Sequence, residues 1–132
     1  MTKAPHITLR FGPLPVDVIN KTLNLELDPG EAILTPSHQV HAARRHPEDY
    51  ARCQPHVAAI LANPLWIGDD FKNEGKIELV GRVAAIGGPL LVAVKIAVNA
   101  NGCYEVASFY PVAETTVESR RAKGYLRLAK KC

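Results

Sequence analysis

The chain has 132 residues, 47% of them hydrophobic and 22% charged, and a formal net charge of +3. That length suits one domain with its own core, and the balance excludes wholesale disorder. The mild positive charge is compatible with RNA or DNA without proving either, and no apolar run is long enough for a bilayer span.

Residues 1–11 carry Lys3, His6 and Arg10 and lack the apolar core of a secretory leader. A soluble, cytoplasmic protein is therefore expected, and delivery by a carrier polypeptide or particle would leave no mark in the sequence. Cys53, Cys103 and Cys132 form no close pair and no metal-type doublet, which fits a reducing compartment.

Residues 7–11 read as a short strand closed by Gly12, Pro13 and Pro15, and residues 16–23 as one or two helical turns after a proline. Asp28-Pro29-Gly30 is a turn, and residues 32–34 are a weak strand. Thr35-Pro36 then starts a helix, with threonine as the cap and proline in the first turn. Pro47 ends that helix near His46. A second helical region, 47–62, is kinked or split at Pro55 and carries a core stripe of Val57, Ile60 and Leu61.

The period then changes. Residues 76–83 alternate, 90–98 are dense in β-branched side chains, and 103–110 alternate again, with Gly87-Gly88-Pro89 and residues 99–102 as hairpin connections. A short helix over 112–122 and an edge strand over 125–128 complete the chain. Helices followed by a meander predict an α+β fold, with N-terminal helices packed on one face of a roughly four-stranded antiparallel sheet.

Strand parity predicts which side chains meet. A two-residue turn at Ala100-Asn101 sets Ala93 opposite Ser108; a turn at Asn101-Gly102 sets Lys95 there. Pairing Ile86 with Pro89 sets Glu78, Val80 and Arg82 against Ala97, Lys95 and Ala93. Either way one face holds Glu78, Arg82, Lys95, Ser108 and Tyr110. The other, apolar apart from Glu105, holds Ile77, Leu79, Val83, Val92, Val94, Ile96, Val98, Ala107 and Phe109 and should meet the helices. A plain solvated sheet face explains the same polar pattern, and a bulge in either hairpin would flip one strand.

His38, His41, Arg44, Arg45 and His46 fall within nine residues, and on a helix His38, His41 and Arg45 share a stripe. Imidazole titrates near neutrality and suits acid/base work, and guanidinium suits phosphate oxygens. Three blander or different readings compete: idle surface histidines, a helix C-cap at His46, and zinc held by His38, His41 and Cys53, which the neighbouring arginines oppose.

The run 40–47, Val-His-Ala-Ala-Arg-Arg-His-Pro, is followed by 62–68, Ala-Asn-Pro-Leu-Trp-Ile-Gly. Lys95 in an apolar strand and 107–111, Ala-Ser-Phe-Tyr-Pro, come next. In this order and spacing the segments resemble the phage-associated branch of the barnase–EndoU–colicin–RelE-like (BECR) nucleases, over roughly residues 30 to 112. The resemblance implies one BECR-like domain over 1–132, with an N-terminal extension at 1–30, a core at 31–112 and a C-terminal element at 113–132.

It also implies metal-free RNA cleavage through the ribose 2′-hydroxyl, with no cofactor. Carried over by position, His41, His46, Lys95, Ser108 and Tyr110 are the catalytic set. Arg44, Arg45 and His38 from the helix, with Arg82 and Glu78 from the parity argument, are expected to bind substrate. RNA is the expected partner, and a toxin-type nuclease implies an immunity or antitoxin protein as well. The rival readings are a non-catalytic RNA-binding module and a structural or accessory protein of a phage particle.

Overall fold

A computed structural model describes residues 7–69 and 75–130. His6 and Cys132 lie outside the described residues. In chain order the elements are β1 (Leu9–Pro13), α1 (Val16–Leu23), β2 (Glu31–Leu34), α2 (Pro36–Arg45), α3 (Pro47–Cys53) and α4 (Val57–Ala62). Then come β3 (Trp66–Asp69), β4 (Lys76–Val83), β5 (Gly88–Lys95), β6 (Tyr104–Pro111), α5 (Glu114–Ala122) and β7 (Leu126–Leu128).

Local chemistry explains most of these boundaries. The Thr35 hydroxyl accepts the His38 backbone N–H, and Pro36 occupies the first turn of α2. His46 leaves helical geometry, at φ −143° and ψ 71°, because Pro47 disfavours the α region for the residue before it. Pro55 splits the next helical region, since a 3-10 turn over Gln54–His56 separates α3 from α4. α1 ends on Asn24 in the left-handed region, a conformation asparagine tolerates better than most residues.

The α+β class holds, but the sheet has seven strands and is mixed, in the order β1-β2-β6-β5-β4-β3-β7. The β4-β5-β6 meander forms its centre as antiparallel pairs. β2 joins β6 in parallel at Ala32↔Tyr104 and Ile33↔Glu105 and brings β1 with it. β3 joins β4 and carries β7 on its far side. Segments 1–30 and 113–132 thus each contribute strands to the same sheet as the meander.

Two packed clusters result. The larger gathers Ile19, Leu34, Val57, Ile60, Leu61, Ile67, Ile77, Leu79, Val92, Val94, Tyr104 and Phe109 under the N-terminal helices. The second lies on the opposite face, where Trp66, Val80, Leu91 and Ala93 pack with Val117 of α5 and Leu126 of β7. Helices therefore cover both faces rather than one. α5 supplies a single fully buried apolar side chain, Val117, which is why its sequence reads as a weak helix with no destination.

Register corrects the parity argument in detail. β4 and β5 pair as Glu78↔Ala93, Val80↔Leu91 and Arg82↔Pro89, four residues from the expected match, because a 3-10 turn over Ala84–Ile86 lengthens the hairpin. Four is even, so each side chain keeps its face. In β5-β6, Ala93 meets Ser108, as in the first of the two expected registers, and an irregularity between Ala93 and Val94 then brings Val94 opposite Val106. That bulge turns Val106 and Tyr104 into the core and Glu105 out to the side of Lys95, reversing the face expected for Glu105.

Among the described residues, no helix is long and apolar enough to cross a membrane. Cys53 is a free, buried thiol and Cys103 a free, half-buried one.

Candidate functional site

β2 pairs with β6 only at Tyr104 and Glu105. The rest of β6 runs beside α2 and α3, which follow directly from β2. α2 is anchored there by the buried amide of Gln39, which donates to the carbonyls of Leu34 and Ile7 and accepts the Tyr50 hydroxyl. The Tyr50 ring in turn packs on Phe109 of β6, with centroids 5.7 Å apart. Burying Gln39 and packing the half-buried Tyr50 ring on Phe109 fix the rotation of α2, so its His41–Arg45 stripe borders the sheet.

A cleft of about 600 Å³ opens along this border. His41, Arg45 and His46 line it from α2 and its end, Asp49 and Tyr50 from α3, Ser108 and Tyr110 from β6, and Lys76 from β4. His46 also borders a smaller hollow of about 250 Å³ with Arg45 and Asp49. Four of the five expected catalytic residues, separated by as many as 69 positions, thus share one concavity.

Lys95 is the fifth. It does not line the cleft; its ammonium lies 3.9 Å from the Glu105 carboxylate. His38 reaches the same carboxylate from α2, with Nδ1 3.8 Å from Glu105 Oε1 and 3.1 Å from the Thr35 hydroxyl. Partial burial of the His38 ring lowers its pKa, Lys95, His41 and Lys76 push the same way, and Glu105 opposes them. These couplings join His38 to both groups: to Lys95 and Glu105 on one side, and to His41 and Lys76 of the cleft on the other.

Three expected substrate contacts fall elsewhere. Arg44 is exposed and is not part of the lining. Glu78 is 5% exposed and accepts a hydrogen bond from the Arg120 guanidinium of α5. Arg82 forks onto Glu114, its Nη2 3.0 Å from Oε1, and lies 4.9 Å above the Trp66 ring, with Arg121 5.5 Å from the same ring. Both had the right face, but α5 covers that half of it and engages them. Strand alternation fixes the face of a side chain but not what packs over it, so α5 leaves no sign in the strand pattern.

Zinc finds no assembled donor set: Cys53 belongs to the core, and no group of three or more His, Cys, Asp or Glu side chains converges among the described residues. Lys76 and Glu105 are the notable members that sequence reasoning misses. The tight-turn register carries Lys76 away from Lys95, and the bulge is what brings Glu105 across.

The arrangement gathers two imidazoles, a guanidinium, an ammonium and three hydroxyls, with the single carboxylate of Asp49, around a hollow open to solvent, a balance of charge suited to an anionic substrate. No family model, no curated protein and no solved structure matches this chain.

Proposed function

We propose that the chain is a metal-independent endoribonuclease of BECR type, associated with a phage or toxin system, whose cleft holds one phosphodiester of RNA. One observation carries this reading: His41, Arg45, His46, Ser108 and Tyr110 line a single cleft at the edge of β6. Two imidazoles thus stand beside a planar cation and hydroxyl donors.

In the proposed reaction the ribose 2′-oxygen attacks the adjacent phosphorus while one imidazole takes the 2′-proton. The bond from phosphorus to the 5′-oxygen breaks, and a second imidazole, protonated, supplies the leaving oxygen with its proton. A 2′,3′-cyclic phosphate and a 5′-hydroxyl result. His41 is the principal acid/base group and His46 its partner. Arg45 stabilises charge on the phosphoryl oxygens. Ser108 positions a phosphate oxygen or the 2′-hydroxyl, and Tyr110, 36% exposed at the rim, presents a ring on which a base can stack. His38 and Lys95 flank this centre, and Glu78 and Arg82 hold α5.

Incubating pure protein with total RNA and EDTA tests the reading. Cleavage that leaves cyclic-phosphate ends is the expected result. Intact RNA with retained binding would overturn the enzyme and favour an RNA-binding module; no RNA affinity at low salt would favour a particle component. A nuclease harmful to its own cell would also require a neutralising protein, and occupation of this cleft is the direct way to neutralise it.

A further inference from the structure

Lys76 and Lys95 are direct partners across the β4-β5 pair. Side chains at such positions stand with their Cβ atoms about 4.5–5.5 Å apart, and like charges placed there destabilise a sheet. A cross-strand lysine pair therefore needs an anion near it. Among the described residues, Glu105 meets that need only in part: its single carboxylate stands 3.9 Å from Lys95 and 3.8 Å from His38, so it is shared between them. Lys76 and Lys95 are half-buried, with the Lys95 side chain 42% exposed, so solvent screens them incompletely.

The pair is also continuous with the cleft. Lys76 lines it together with His41 and Arg45, while Lys95 lies beyond the lining on the Glu105 side. A strand whose scissile phosphate lies at His41 and Arg45 would meet the two ammonium groups next along the sheet. Lysine suits such a contact, acting as a point charge that tolerates variable phosphate orientation.

We propose that Lys76 and Lys95 together form a second phosphate subsite, holding the phosphodiester next to the one cleaved. The inference rests on the ribonuclease reading for the identity of its ligand, a single RNA strand. It makes Lys76 a substrate-binding residue with no part in proton transfer. It also makes Glu105 the carboxylate that keeps the lysine pair tolerable when RNA is absent.

The test is binding of non-cleavable 2′-O-methyl oligonucleotides, a dinucleotide with one phosphate and a tetranucleotide with three, measured across a salt series. Lys76→Gln should weaken the tetranucleotide several-fold and reduce the slope of log affinity against log salt by about 0.7, the value for one contact on a single strand. The dinucleotide should be unaffected, and Lys76→Arg should keep tetranucleotide affinity. Lys21→Gln, which removes one positive charge from α1, should change neither oligonucleotide.

The subsite is overturned if Lys76→Gln matches Lys21→Gln, if it weakens both oligonucleotides equally, or if the wild-type protein binds neither. The ribonuclease reading is judged separately, by cleavage of RNA with wild-type protein and His41→Ala. Either proposal can therefore fail while the other stands.

Discussion

His38 lies where burial, with Lys95, His41 and Lys76 nearby, opposes its protonation, against one carboxylate, Glu105, that favours it. Its folded pKa is therefore below the ordinary value of about 6.5. The unfolded chain then takes up a proton at higher pH than the folded one does. The resulting contribution to stability is fully present above about pH 6.5 and is lost as pH falls from there through the lowered folded pKa. His38→Gln should flatten this acid-side loss, measured as the thermal midpoint at a series of pH values from 7 downward. A wild-type slope retained in the variant would contradict the assignment.

His41 and His46 belong to a different prediction at the same scale. Each removal should cut RNA cleavage by about 10²–10⁴-fold, the usual worth of a positioned acid or base, with the fold unchanged. What made these residues legible was their density: His38, His41, Arg45 and His46 fall within one helix and its end, so helical geometry alone brings them together. Lys76 and Glu105 were not legible, because their places depend on a lengthened hairpin and a bulge that lie outside any local pattern.

Individual elements show the same division between local and distant causes. α2 was readable to its ends because cap, proline and stop are all within its own sequence. β3 was missed: Trp66–Asp69 is only four residues long and is defined by its neighbours β4 and β7. Gly68 shows how closely those neighbours approach, since a Cβ there would stand 2.6 Å from the Tyr125 carbonyl oxygen. Gly68→Ala should cost about 1–3 kcal/mol in denaturant unfolding, as overpacking does elsewhere; an unchanged midpoint would mean that β7 is free to move away.

The ion pairs Arg120–Glu78 and Arg82–Glu114, which tie α5 to β4, differ in burial. Arg120→Ala withdraws a guanidinium from a carboxylate whose residue is 5% exposed, and breaking a buried pair in this way costs about 3 kcal/mol. Glu114→Ala breaks the exposed pair with Arg82 and should cost under about 1 kcal/mol. Equal losses in chemical denaturation would contradict the placement of α5 over the sheet.

For the whole molecule, the sheet serves two purposes on one face. α5 and β7 close the half around Trp66, Val80 and Leu91 into a second core. α2 borders the remaining part, where Ser108 lines the cleft and Lys95 meets Glu105 outside the lining. The α+β class and the central meander were written in the change of hydrophobic period. The seven-strand extent was not: β1, β2 and β7 read as short strands without stated partners, and β3 did not read as a strand at all, because each of the four has five residues or fewer and alternation over so few positions names no neighbour.

The central claim is that the cleft beside β6 cleaves RNA through its imidazoles without a metal. The most direct measurement is the initial rate of cleavage of a single-stranded RNA in excess EDTA, with end-group analysis of the products, for wild-type protein, His41→Ala and His46→Ala. The account predicts cyclic-phosphate termini from the wild type and a loss of about 10²–10⁴-fold in each variant. Full wild-type rates in both variants, or cleavage that ceases when EDTA is added, would contradict it.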